Sequence, residues 1–232
     1  MAQSYTNEAT AATMDISLDQ TGGFYADGSL DNSPTFQNYF IGYGTTPGFP
    51  RTPERRHFFI FDLSSVTVPI TSAELKLILP FGGLIADEPM ETWVVSGTSV
   101  PAAMFKDTGL TPLEAAPIFG EIGTAPEIID PVDFGPGDDD GIAKPYALNS
   151  TGIAFLNAHL GGEVAITGFM ASFSEEPEVD EPDELLFAHS NVVGSGVSLI
   201  APPVLTITTV PEPSAAAILA LGGVVFFMRR RR

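Results

Sequence analysis

The chain contains no cysteine. Disulfide staples, thiolate metal sites and a thiol nucleophile are therefore excluded. Cationic side chains are scarce as well: ten Lys and Arg stand against 29 Asp and Glu. A formal net charge of −19 repels phosphate backbones, which removes nucleic acid as a partner class. Histidine occurs three times, at His57, His159 and His189, and no two of these share a metal-ligand spacing. Neither a phosphate-binding loop nor a dinucleotide fingerprint is present. Gly194-Ser195-Gly196 lacks the second half of a Gly-x-Ser-x-Gly nucleophile elbow. Long amphipathic helical patterns are also missing, which argues against an all-helical fold.

What is present suits a β-rich body. The 232 residues include 17 Phe, 20 Pro and 23 Gly, with 44% hydrophobic and only 17% charged residues. Such a chain has apolar mass for a sizeable core and many turn-formers to divide it. Short apolar runs alternate with Gly, Pro, Asp and Asn, the pattern of strands. In Phe36 to Tyr43, the residues Tyr39, Ile41 and Tyr43 share a face. His57 to Leu63 is apolar on both faces and predicts a central strand. Ala73 to Leu79 alternates, with Leu75, Leu77 and Leu79 inward. Thr92 to Ser96, Val164 to Met170, Leu185 to His189 and Val204 to Thr209 continue the series. One helix is predicted over Gly152 to Leu160, capped by Ser150 or Thr151, and a helical turn over Pro101 to Lys106. Thr111 to Asp140, rich in Pro and Gly, reads as a long loop with a short strand near Ile118. The expected fold class is all-β: a jelly-roll-like β-sandwich with one or two short helices and a C-terminal hydrophobic helix.

Candidate chemistry in the body is sparse. Asp138, Asp139 and Asp140, the acidic run from Glu175 to Glu184, and Asp27, Asp31 and Asn32 each supply oxygen ligands suited to Ca²⁺. None has the spacing of a calcium loop, and solvated acidic loops are the commoner use of such runs. The three histidines read as structural, and the single Trp, Trp93, as a core residue. Asn149-Ser150-Thr151 fits the short glycosylation pattern. A hydrolase would require two carboxylates facing across a cleft, which sequence spacing does not display.

The sharpest signal lies at the end of the chain. Pro211 and Pro213 bracket Glu212; both prolines fix φ and lack an N–H, so they form a stiff spacer. Ser214 can cap the following helix. Ala215 to Met228 has no polar side chain and includes Ala215, Ile218, Leu219, Leu221, Val224, Val225, Phe226 and Phe227. Arg229, Arg230, Arg231 and Arg232 then form a cationic stop that stays cytoplasmic and leaves the body outside. The apolar helix measures about 21 Å at ~1.5 Å per residue, short of the bilayer core of about 30 Å. Snorkelling Arg side chains and local thinning bridge that gap.

This order of Pro-Glu-Pro, short apolar helix and Arg cluster resembles the PEP-CTERM sorting signal of Gram-negative bacteria. The same tail is also labelled an ice-binding-protein C-terminal domain, for which no Thr ladder or short repeat is seen here. The resemblance implies recognition of Pro211, Glu212 and Pro213 by an exosortase, with the protein as its substrate. It further implies an inner-membrane-anchored precursor, later released or attached at the surface, often alongside exopolysaccharide. An exported protein also needs a leader, and Met1 to Met14 has none of its features; the expected true start lies upstream. Within the body, Phe61-Asp62-Leu63-Ser64-Ser65 followed by Ile70 to Leu77 resembles the early strand pair of DNRLRE-type surface sandwiches, which are noncatalytic.

The expected organisation is an extracellular sandwich over residues 1–209 and a sorting tail over 210–232. The expected function is that of a noncatalytic surface or matrix protein, with polysaccharide as one partner and no cofactor. An extracellular hydrolase and a purely structural envelope component are the alternatives.

Overall fold

The computed structural model describes residues 11–32, 37–44, 53–86, 89–172, 184–187, 190–191 and 202–210. In chain order these residues form strands β1 (Ala12–Tyr25), β2 (Leu30–Asp31), β3 (Gln37–Asn38), β4 (Ile41–Tyr43), β5 (Arg55–Asp62), β6 (Ile70–Ile78), β7 (Leu84–Ile85) and β8 (Glu91–Gly97). Helices α1 (Ala102–Lys106) and α2 (Pro112–Ile122) follow, then β9 (Glu127–Phe134), β10 (Ala143–Ala147), α3 (Ser150–Ala158), β11 (Glu163–Met170), β12 (Glu184–Leu186), β13 (Ser190–Asn191) and β14 (Val204–Thr209).

The main sheet is antiparallel and runs β10-β6-β14-β1-β5-β11-β8-β9. It curls until β9 meets the end of β10 through a single bridge between Ile129 and Leu148. The long strand β1 makes the corner. Its first half, Ala12 to Ser17, pairs with β14, and its second half, Leu18 to Tyr25, pairs with β5. A register shift between Leu18 and Gln20 separates the halves, and such a bulge lets one strand serve two differently directed sheet segments. The edge strand β10 carries Pro145, which removes a donor from the rim and discourages further pairing.

Two apolar layers hold this sheet. The larger lies inside the curl, where Ile16, Phe59, Phe61, Leu75, Leu77, Trp93, Val164, Ile166, Leu205 and Ile207 pack together. The smaller lies outside it, where Phe24, Phe58, Ile60 and Ala165 meet Phe105 of α1 and Ala115, Ile118 and Ile122 of α2. Strand β5 therefore has apolar residues on both faces because Phe59 and Phe61 enter one layer and Phe58 and Ile60 the other. That is the central strand which the unbroken run His57 to Leu63 predicts.

Several expectations agree with this architecture. Leu75, Leu77 and Leu79 are all buried, β14 spans Val204–Thr209, and α1 occupies Ala102–Lys106. Others are corrected. Thr111 to Asp140 is not a long loop: it holds the eleven-residue helix α2 and the eight-residue strand β9. Pro112 sits in the first turn, where a missing N–H costs nothing, and Glu114 accepts from both the N–H and the hydroxyl of Thr111, at 2.9 and 2.7 Å. The N-cap of α3 is Asn149, whose Oδ1 accepts from the Gly152 N–H at 3.0 Å, and not Ser150 or Thr151. Among the described residues there are three helices, and none is long and apolar enough to cross a membrane. The expected apolar helix from Ala215 to Met228 lies outside the described residues.

Candidate functional site

The strand that leads to the tail is among the best embedded in the fold. β14 lies between β1 and β6, antiparallel to both. Leu205 and Ile207 are fully buried on its inner side, while Thr206 and Thr208 face outward. Its last residues are held individually. Thr209 pairs with Ala12 on one side and Ile70 on the other, and its hydroxyl donates to the Ala12 carbonyl at 3.4 Å. The next residue, Val210, donates its N–H to the Pro69 carbonyl at 2.9 Å. Pro211 follows directly, and Pro211 to Arg232, including Pro211, Glu212 and Pro213, the apolar residues and the four Arg, lies outside the described residues.

Among the described residues, the carboxylates that sequence reading offers as Ca²⁺ ligands do not converge on a metal site. Asp138 accepts from the Gly135 N–H at 2.8 Å, and that bond, together with Lys144, holds its carboxyl below the usual value. Lys144 also pairs with Asp140 at 3.4 Å. Asp139 accepts from the Gly82 N–H at 2.7 Å. Asp27 closes a local turn onto Ser29, whose hydroxyl and N–H lower its pKa. Asp31 pairs instead with the buried Arg55 at 2.9 Å, and Asn32 donates to the carbonyls of Phe105 and Asp107, each at 2.9 Å. Among the described residues no group of three or more His, Asp or Glu side chains is placed to hold a metal ion. The acidic run is described only at Glu184, which is buried on β12.

Two of the three histidines are described, and both are tied into structure. His57 is fully buried between Tyr39, Phe59, Trp93 and Phe187. Burial pushes its pKa down to about 3, with Arg55 adding to the effect against the Tyr39 hydrogen bond. Trp93, buried as expected, points its indole N–H at this ring. His159 caps the end of α3 and bonds through Nδ1 to the Phe155 carbonyl at 2.8 Å. His189 and Gly194-Ser195-Gly196 lie outside the described residues. Asn149, first residue of the glycosylation pattern, is engaged as the α3 cap.

Sequence reading missed a polar cluster at the rim of an apolar pocket. The pocket, about 400 Å³ in volume, is lined by residues that include Gly97, Ile128, Ala154, Phe155 and His159. On its rim Glu121 accepts from the Thr98 hydroxyl, the Ser99 N–H and the Ser99 hydroxyl at 2.7–2.8 Å. Burial pushes the Glu121 carboxyl up, but these bonds outweigh it and leave it below its usual value. A carboxylate that accepts three hydrogen bonds is a structural anchor more than a poised base. No local motif marks it, since Glu121 at the end of α2 and Ser99 in the turn after β8 are brought together only by the fold.

The functional segment with an assigned role is thus the one that begins where β14 ends. Residues 209–232 match the PEP-CTERM protein-sorting motif. The PEP-CTERM tail implies an exported protein whose precursor is membrane-anchored and is processed by an exosortase. The match starts at Thr209, the last residue of β14, so the motif abuts the folded body with no intervening segment. No curated protein matches the chain.

Proposed function

We propose that the body is a noncatalytic surface module, delivered by its PEP-CTERM tail and serving as a structural component of the cell surface or extracellular matrix. The observation that carries this reading is the join between tail and body. A pull on Val210 runs along β14, which is central in its sheet and bonded on both sides. The rungs that tie β14 to Ala12–Ser17 on one side and to Ile70–Lys76 on the other are loaded at once instead of one after another. A protein held at a surface through its C-terminus benefits from such a firm handle.

The described carboxylates support the noncatalytic part. Asp27, Asp138, Asp139, Glu114 and Glu121 accept backbone hydrogen bonds, and Asp19 and Glu163 share Lys106. These roles tie down loops and leave no facing pair across a cleft among them. Binding of exopolysaccharide is the finer version of the reading, and a row of exposed rings on one sheet would favour it. Among the described residues Phe81, at 80%, is the only fully exposed aromatic ring, so the structural role is the better supported of the two.

Fractionation of the native host with intact-mass measurement tests the proposal. The expected species is an extracellular or surface chain that ends within the Pro211 to Ser214 spacer. An intact cytoplasmic chain that retains Arg232 overturns it.

A further inference from the structure

We infer that the end of the body from which the tail leaves is a docking face for the phospholipid surface, and that the anchored precursor stands on it. This inference rests on the membrane-anchored precursor that the sorting tail implies. Three observations carry it.

The first is length. The residues from Pro211 to Ser214, fully extended, reach about 14 Å at ~3.5 Å per residue. A folded body of this size has a radius of gyration of roughly 17 Å, so its diameter far exceeds the tether. The end that carries Val210 must therefore lie at the membrane surface once the apolar segment is inserted.

The second is which residues form that end. Ala12, Ile70 and Thr209 lie side by side in the sheet. Asn157 of α3 ties in from beside them: its Oδ1 accepts from the Ile70 N–H at 2.8 Å, and its amide donates to the Ile70 carbonyl at 2.9 Å. The turn after α3 is fastened to the segment that precedes β6, with Leu63 donating to Gly162 and Gly161 donating to Leu63. The tail exit, the 63–69 connection and the C-terminal half of α3 therefore make one continuous surface.

The third is charge. In a chain with 29 acidic residues, segments 63–73, 148–162 and 204–210 contain no Asp or Glu. The exposed residues of this end include Thr67, Pro69, Ala158 and Val210, which are uncharged. Acidic groups at the other end of the same strands include Asp138, Asp139 and Asp140, beside the Phe81 turn. That turn lies beyond Ile78, eight strand positions from Ile70, or roughly 26 Å. Anionic headgroups repel carboxylates that come within a Debye length, about 8 Å at physiological salt. The segments that form this face carry no acid of their own. The acids at its border are the exposed Asp62, which accepts from the Ser64 N–H at 2.8 Å, and Glu163, which is paired with Lys106. So sparse an acidity, against a body rich in carboxylates, fits a lipid headgroup surface.

The absence of cysteine makes the test direct, because a single introduced thiol is a unique labelling site. Full-length chain carrying Thr67→Cys or Ala158→Cys on the proposed face, or Phe81→Cys or Leu113→Cys away from it, is labelled with a fluorophore. It is then reconstituted into phosphatidylethanolamine/phosphatidylglycerol vesicles that carry a headgroup-attached quencher. The expected result is at least threefold stronger quenching at positions 67 and 158 than at 81 and 113. Equal or reversed quenching on vesicle-bound chain overturns the docking face alone. Failure of the chain to float with vesicles overturns the anchored-precursor reading beneath it. Insertion of about twenty Gly/Ser residues after Val210 frees the body to reorient. The quenching contrast is expected to persist above twofold, and its collapse to one assigns the orientation to the tether and overturns docking.

Discussion

Trp93 donates its indole N–H to Nε2 of His57 at 3.1 Å. Because that nitrogen accepts, the ring proton sits on Nδ1, which donates to the Tyr39 carbonyl at 2.8 Å. The buried imidazole is thus neutral and fully satisfied. Protonation would put a second N–H opposite that of Trp93, in a site already desolvated and near Arg55.

That arrangement predicts how stability depends on pH. The folded-state pKa of His57 is about 3, below its unfolded value of about 6.5. The unfolded chain therefore binds a proton that the folded chain refuses. The contribution of His57 is complete above pH 6.5 and declines as pH falls toward 3, with a limiting loss of roughly 5 kcal/mol. His57→Gln should be less stable than the parent at pH 7.5, and the gap should narrow steadily by pH 4. Urea unfolding at a series of pH values measures it, and a gap independent of pH refutes the assignment.

Gly168 lies beneath the same pair. A Cβ there would sit 2.2 Å from His57 Nε2 and 2.7 Å from Trp93 Nε1. Gly168→Ala should therefore force the two rings apart at a cost of about 1–3 kcal/mol. The Trp93 fluorescence spectrum should shift in the folded state, since the indole loses its acceptor. Parental stability with an unchanged spectrum would contradict the geometry.

Asn157 joins α3 to the start of β6 with bonds to both backbone groups of Ile70, which is 2% exposed. Asn157→Ala leaves that donor and acceptor without their partner. A loss of about 1–3 kcal/mol in denaturant unfolding is expected, whereas Ala158→Ser, on the exposed side next to it, should stay within about 0.5 kcal/mol.

Truncation distinguishes tail from body. A chain that ends at Val210 keeps β14 and should retain its far-ultraviolet circular dichroism and cooperative melt. A chain that ends at Pro203 loses Leu205 and Ile207, both fully buried, and separates β1 from β6. It should lack a cooperative transition. Equal melting of the two chains would mean that β14 is dispensable.

How much of this was readable in the sequence follows from how local each signal is. β5, β6, β8, β11 and β14 carry their apolar pattern within a few consecutive residues, so their positions were legible. β1 was not. Its outward half reads as polar, with Thr13, Asp15 and Ser17 facing solvent, and its inward half contains Gly22-Gly23, which resembles a turn. Those glycines serve close approach instead: a Cβ at Gly22 would lie 2.2 Å from the Asp31 carbonyl oxygen, and one at Gly23 would lie 2.4 Å from Arg55 Nε. Only the tertiary neighbours, Asp31 and Arg55, reveal that requirement. α2 was hidden by Pro112, Pro117, Gly120 and Gly123, although Thr111 and Glu114 stood at the spacing that a helix start favours. Among the candidate site residues, the tail motif was legible because it is contiguous. The Glu121 cluster and the neutral His57 were not, because each is assembled from segments that are distant in the chain, with His57 and Trp93 36 residues apart and Thr98 and Glu121 23 apart.

The central place of β14 has a consequence for the timing of assembly. A ribosome makes this strand after the other described strands, yet β1 and β6 cannot be joined without it. Until residues 204–209 arrive, the two halves of the curl have nothing between them, and the inner apolar surface stays open. A chain that stops before β14 therefore fails to close, and the sorting signal, which begins at the last residue of that strand, is presented only on chains long enough to complete themselves.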